Sequence, residues 1–450
     1  MKTSVTSNMG IYSRIKTSIA AVAACGVFLA ATNVTLGQTT YEWTGLAGDF
    51  RLGSANNWTP NNTPSGGASD IMQWDATAAT GNLLVTNASA LDTSPGLNLN
   101  ITSDHTGSLT IVGTGPRLRL NTNSLTIANG AGAFNFGYGS PTVAFPVALA
   151  GVGNGAVHAW TNDSTSTATL WSELNFVMGG GGGHTLLLAG TGNWNVYSQL
   201  QAQNSGAGLA LTVAGSGTVL YAPTNAPSTT FSGTFNGMTI NSGTLKLGNG
   251  SAVPATITIN GGTLDLNGFS LTNNLNGAGS IDTTAVGGTP TLTISNNNNT
   301  TINGAIKNSQ GTLTLVKRGA GTITMNGTNT YSGSTTIGSG AIILNGKLGA
   351  GDVTVSNAAS FGGSGSVGGN VTWQTGATVI LGVTNNGVGN GTVFTLGGTA
   401  NLNNNNVTIN VAGNTPLPVG TYTLLSAGGI SGTFVPQLNF SGAGVASGTG

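Results

Sequence analysis

Between residues 239 and 269 the chain repeats one phrase. TINSGTLKLGNG (239–250) aligns with TINGGTLDLNGF (258–269) at an offset of 19 residues, which sets Ile240 over Ile259, Leu245 over Leu264 and Leu247 over Leu266. Within each copy aliphatic residues alternate with Thr, Asn, Lys or Asp, the period of a half-buried strand. Strands of three or four residues bury too little to stand alone and need copies stacked above and below. The spacing predicts an all-β solenoid in which like residues pile into columns about 4.8 Å apart, aliphatic inside, with Thr and Asn outside in polar ladders that satisfy one another. The same offset sets Lys246 beside Asp265, an expected exposed ion pair on the outer face worth about 0–1 kcal/mol.

Composition narrows the alternatives. Charged residues make up 5% of the chain, against about a quarter in ordinary globular domains. That excludes the basic stripe of a nucleic-acid binder, and the scarcity of Glu, Lys, Arg and Gln argues against long helices. Gly accounts for 75 of 450 residues, which alone would suit disorder, but the regular alternation favours ordered coils.

A second alternating stretch lies at 310–350, with runs at 312–316, 322–325 and 335–344. Leu313, Leu315, Ile323 and Met325 fall on one side, and Thr312, Thr314, Thr322 and Thr324 on the other. Arg318-Gly319-Ala320-Gly321 and Asn326-Gly327-Thr328-Asn329 separate the runs and turn a chain cheaply. In this stretch LVKRGAGTITMNGTNTYSGSTTIGSGAIILNG resembles the autotransporter-associated β-strand repeat, also called the passenger-associated transport repeat. The matching positions are Leu315, Lys317, Gly319, Gly321, Thr322, Ile323, Met325, Gly327, Asn329, Tyr331, Gly333, Thr335, Ile337, Gly340 and Ile342. The resemblance implies a bacterial secreted or cell-surface protein whose repeats build a right-handed parallel β-helix, without an assigned enzymatic activity. YEWTG…NNWTP near the start and GTYTLLSAGGISGTF near the finish look like the usual ends of such proteins.

Residues 1–37 read as a signal peptide. Lys2, Arg14 and Lys16 precede an apolar run from Ile19 to Ala31, too short to span a bilayer. Small residues place cleavage after Gly37, with Ala31 as the competing site. Val22-Ala23-Ala24-Cys25 is a passable lipoprotein box, but the apolar run continues past Cys25 through Val27, Phe28 and Leu29, beyond where a lipid-modified Cys should end it. Cleavage at Gly37 removes the only Cys, so no disulfide or thiolate is expected in the mature chain. It leaves eight basic against 11 acidic residues, a weak field for steering any partner. No transmembrane helix is expected after signal removal.

The remainder divides by regularity. Residues 38–80 form an irregular N-terminal cap holding Trp43, Trp58 and Trp74 with Glu42, Asp49, Asp70 and Asp75. Packed rings would cover an open first coil, and an aromatic sugar-binding platform is the competing reading. Residues 81–230 are irregular β-helix coils, with runs at 83–85, 97–101, 109–112, 118–120, 125–127, 142–149, 167–171, 185–188, 194–197 and 209–213; Arg117 and Arg119 should face solvent. Residues 231–415 are regular repeats whose Asn tracts at 296–299 and 403–406 are expected corners. Residues 416–450 are closing strands and a small polar tail. At about 20 residues per coil, on the order of 20 coils and about 95 Å are expected.

Little in the sequence points to chemistry. His105, His158 and His184 lack ligand spacing, and Val367 stands where a calcium-binding glycine turn needs Asp. The glycines at 179–183 before His184 are not followed by Lys-Ser or Lys-Thr, so they read as a loop and not a phosphate cradle. No metal or cofactor is expected. A β-helix hydrolase or lyase needs paired carboxylates, whereas Asp265, Asp282 and Asp352 fall in different coils and only Asp70, Asp75, Asp92 and Asp104 could gather. The expectation is a non-enzymatic exported structural protein. The runner-up is an adhesin or glycan binder engaging cell-surface or extracellular polysaccharide, and the third reading is a carbohydrate-active enzyme.

Overall fold

A column of residues, one per coil, runs along the molecule: Tyr41, Met72, Leu99, Leu125, Trp160, Leu188, Val213, Ile240, Ile259, Gly277, Ile302, Met325, Leu344, Gly363, Leu381, Ile409 and Phe440. Each is in parallel register with the next. The computed structural model describes residues 38–64, 70–75, 81–87, 91, 96–113, 117–139, 145–149, 155–172, 174–178, 183–200, 208–224, 234–249, 253–384, 393–412 and 421–441. The expected signal segment, its cleavage site, Cys25 and the loop at 179–182 lie outside them. Contacts separate Met1–Gln38 from a unit over Thr39–Gly450, and it is this unit that coils.

Three parallel walls enclose the core. The column above marks the first. The second runs through nine strands from Leu83–Asn87 to Ser280–Asp282 and resumes in four from Lys347–Leu348 to Leu425–Ser426. On the third, Leu271, Leu292, Leu315, Thr335, Val353, Val371, Ala400 and Ile430 stand in one line. Alternation decides which side chains enter: Leu315, Ile323, Met325, Ile342 and Leu344 are buried, while Thr314, Thr322 and Thr324 are half-exposed. Each buried aliphatic contributes roughly 1.5–3 kcal/mol. The 19-residue repeat stacks as its sequence predicts, with Thr239 on Thr258, Ile240 on Ile259, Leu245 on Leu264 and Lys246 on Asp265.

The coils are larger than expected. Seventeen rungs are described, about 77 Å at about 4.8 Å each, because single coils range from 18 residues (Gly363 to Leu381) to 35 (Leu125 to Trp160). Several runs are also divided differently. The run at 335–344 is two strands, Thr335–Ile337 and Ala341–Leu344, broken where Gly340 takes φ 69°. Those at 118–120 and 125–127 fuse into Leu118–Ile127, with a register shift against Leu97–Ile101. Arg117 is exposed as expected, and Arg119 is half-buried. Ala156–Asn162 is a strand the alternation concealed, because His158 occupies an inward position while Val157 is 45% exposed.

The N-terminal segment belongs to the helix itself. Thr40–Trp43 and Ile71–Trp74 are the first two rungs, and Trp58–Thr59 lies antiparallel along the outer edge of the first, the single antiparallel pairing among the described strands. Trp43, Trp58 and Trp74 are fully buried, with ring centroids 5.0, 5.6 and 6.3 Å apart. Trp58 Nε1 donates to the Leu52 carbonyl (2.8 Å). These rings are a packed cap over an edge that would otherwise recruit other strands. They offer no face to a sugar, which overturns the platform reading at this site.

The two Asn tracts behave differently. Asn296 makes a corner as expected: buried, it donates to the Leu275 carbonyl (2.8 Å) and accepts from the Leu275 amide (3.0 Å), replacing a backbone partner. The tract at 403–406 is instead a bulge inside Thr399–Ala412. There Asn404 is left-handed (φ 56°), and buried Asn405 donates to the Gln374 and Ala377 carbonyls.

Candidate functional site

The residues that carry the family resemblance span two adjacent coils, with Leu315 and Lys317 stacked on Thr335 and Ile337 and Ile323 on Ile342, and Lys317, Asn329, Tyr331 and Thr335 among them are buried. Lys317 stands in an inward column between Ile294 and Ile337. It is fully buried, and its ammonium donates to the carbonyls of Arg318 (2.6 Å), Gly319 (2.7 Å) and Ser339 (3.4 Å). Burial pushes its pKa below the usual lysine range. Gly319 and Gly340 are left-handed (φ 78° and 69°), which turns those carbonyls onto the ammonium. At Gly321 and Gly333 a Cβ would lie 2.3 Å from carbonyl oxygens of the preceding coil, those of Asn298 and Leu313.

Asn329 splices the second wall where it lacks a regular strand. Its Oδ1 accepts from the Ile306 amide (2.9 Å) and its Nδ2 donates to the Lys347 carbonyl (2.9 Å), one coil on either side. Tyr331 is buried with its hydroxyl 2.6 Å from Thr335 Oγ1. That bond accounts for a Thr in the column Leu315–Thr335–Val353, since a buried phenol needs a partner. The motif therefore builds a corner, with Leu315 anchoring it to the third wall.

The acidic residues are closer than the sequence suggests. Asp265 and Asp282 occupy different coils but stand in direct register, with Lys246 3.6 Å from the first and Lys307 3.2 Å from the second. The Lys246–Asp265 pair forms as predicted, but Asp265 is buried, not exposed. The reason is its partners: it accepts from the Thr284 hydroxyl (2.6 Å), the Thr284 amide (3.1 Å) and the Asn267 amide (2.8 Å). Asp282 accepts likewise from the Ser309 hydroxyl (2.7 Å) and the amides of Ser309 and Thr283 (2.8 Å each). Burial raises the Asp282 pKa, but the bonds from Ser309, Lys307 and Thr283 outweigh it, and the net shift is downward. Asp352 holds the Asn370 amide and side chain (2.9 and 3.0 Å). Each of these carboxylates pins the next coil's corner. Of the other acidic candidates, Asp70 is buried and accepts from the Thr39 amide (3.2 Å), Asp104 is exposed, and Asp92 lies outside the described residues.

The sequence separates the histidines, whereas one turn of the coil reunites two of them. His158 and His184 are buried and stacked at 5.3 Å, with His158 Nε2 3.0 Å from His184 Nδ1. Both fall at inward positions of alternating strands, the signal that could have paired them. His105 is buried with neither ring nitrogen hydrogen-bonded, and burial pushes its pKa down, partly offset by Asp75. Among the described residues no group of three or more His, Cys, Asp or Glu is arranged to hold a metal.

Outside the core, Trp171 and Tyr197 stack at 5.0 Å with planes 23° apart, both half-exposed. An open groove of about 760 Å³, lined by Thr126, Ala128, Asn129, Asp163, Ser164, Thr165 and Thr191, runs across these two coils and the one before them. The alternation predicts these aromatics at the ends of runs 167–171 and 194–197. The strands stop one residue earlier, at Leu170 and Val196, and because those two residues point inward the rings that follow them point outward.

Three parallel walls around one apolar interior define a parallel β-helix. Comparison with family models matches residues 315–344 to the passenger-associated-transport-repeat, and such a repeat suggests an autotransporter passenger-like protein, secreted or surface-exposed. Comparisons with curated proteins and with solved structures found no match. Among the described residues no helix is long and apolar enough to cross a membrane.

Proposed function

We propose that this chain is an exported, non-enzymatic structural protein of the cell surface or extracellular space, passenger-like in build. The observation that carries the reading is the engagement of Asp265, Asp282 and Asp352: each accepts from backbone or hydroxyl groups of a neighbouring coil, where a general acid or base would need a free proton position. Export rests on residues 1–37. The test is to express the full chain in a bacterial host with and without residues 2–31, then fractionate the cells and treat intact cells with protease. The full chain is expected outside the cytoplasm and the deletion inside it; equal cytoplasmic retention of both defeats the export reading. Turnover of a polysaccharide panel that falls at least tenfold in Asp265→Asn or Asp282→Asn would replace the structural role with an enzymatic one.

The second reading, a glycan-binding surface protein, is favoured by Trp171. Six of the seven tryptophans are fully buried, and this one is not.

A further inference from the structure

We infer that the outer face of the two coils carrying Trp171 and Tyr197 binds a neutral polysaccharide, an inference that rests on the glycan-binding reading and gives it a site. Strands Ala168–Leu170 and Trp194–Val196 pair residue for residue, Ala168 with Trp194 and Leu170 with Val196. The next residue of each strand is therefore an aromatic, set on adjacent rungs. Near-parallel rings in contact with centroids 5.0 Å apart are displaced sideways by roughly 3–4 Å, so they overlap only in part; the six-membered ring of Trp171 also lies against Gly139 of the preceding coil, and what both rings leave half-exposed is the surface offered to a ligand.

Polar groups continue from the rings along the same coils. Thr191, Asn193, Asn195 and Tyr197 alternate with the buried residues Gly192, Trp194 and Val196, and all four reach solvent. The extended part of that row, Asn193 to Tyr197, spans about 13 Å at about 3.3 Å per residue, and Thr191 lies past it, where the chain bends at 190–192. At its far end lies the groove, where the Asp163 carboxylate accepts from the Thr191 amide (3.1 Å) and the Thr191 hydroxyl donates to the Asp163 carbonyl (3.3 Å), tying the two coils together. A pyranose presents an apolar C–H face and a ring of hydroxyls. Aromatic surface takes the first, and hydroxyls, amides and a carboxylate take the second. The groove lining contains one carboxylate and no Lys or Arg. An acidic polysaccharide or a nucleic acid would meet repulsion there, and a neutral chain would not.

The experiment is native affinity electrophoresis of the full chain in gels containing hydroxyethyl cellulose, a galactomannan or alginate. Retardation is expected in at least one neutral gel and not in alginate. Trp171→Ala and Tyr197→Ser should each raise the polysaccharide concentration that halves mobility by tenfold or more, with melting temperatures matching the parent; should Trp171→Ala misfold, Tyr197→Ser and Asn195→Ala carry the comparison. No retardation in either neutral gel, retardation in alginate alone, or folded variants retarded like the parent would each overturn the site. Any of these with the chain still outside the cell leaves the proposed structural role standing. Cytoplasmic retention removes that role whatever the gels give.

Discussion

Single side chains in this molecule act mostly by completing bonds between coils. Asn329 is the clearest case: Asn329→Ala leaves the buried Ile306 amide without an acceptor and is expected to cost about 2–3 kcal/mol by urea denaturation. Asn326→Ala, on an exposed amide ladder, should cost less than about 1 kcal/mol. His158 sets a pH dependence. Burial, with a smaller contribution from His184 and opposed by the Asn121 carbonyl, lowers its pKa to about 4, below the 6.5 of an unfolded chain. Above pH 6.5 neither state is protonated there. As pH falls from 6.5 to 4 the unfolded chain takes up a proton the native one refuses, so stability drops by roughly 3 kcal/mol across that window. Asp282, its folded pKa depressed, stabilises above the ordinary carboxylate pKa and is lost only at lower pH. Melting curves between pH 7 and 4.5 should therefore show a steeper decline in the parent than in His158→Gln, and equal slopes would refute the assignment.

At the scale of elements, corners matter as much as strands. Gly279, Gly304, Gly327, Gly346 and Gly365 stack at one corner so closely that a Cβ on each of the last four would lie 1.9–2.2 Å from the preceding glycine's carbonyl oxygen. Gly327→Ala must push two coils apart and should cost at least about 2 kcal/mol. Gly338→Ala meets nothing nearer than the Lys317 carbonyl oxygen at 3.5 Å and should change stability by about 0.5 kcal/mol or less. Paired thermal melts check both. Beside this corner, Asn303, Asn326, Asn345 and Ser364 bond in sequence at 2.7, 3.0 and 3.2 Å, an outer ladder of the kind the alternation predicts.

The coiled unit is quasi-one-dimensional, each rung bonded to its two neighbours. Leu264→Asp buries a carboxylate between Leu245 and Ile281 and should open those rungs first, while Thr263→Ser leaves protection unchanged. Hydrogen exchange should lose protection near residues 244–247 and 280–282 in Leu264→Asp and keep it near 109–113. Uniform loss along the chain would mean one cooperative block and would contradict the nearest-neighbour account.

Alternation and repeat spacing, both properties of the sequence, determined that this chain coils and which faces of residues 239–269 turn inward: a two-residue period fixes side, and a 19-residue offset fixes register. The passenger-like repeat at 315–344 was legible by another route, the resemblance of its Gly, Asn and Tyr positions to a known motif. Only the tertiary structure decided what lies across a coil, because coil length varies from 18 to 35 residues and no local pattern encodes that length. It brought His158 to His184, set Asp265 on Asp282, closed Trp43, Trp58 and Trp74 into a cap, and left Trp171 and Tyr197 outside. These pairings depend on how many residues each corner consumes, and corner geometry is governed by contacts with the neighbouring coil.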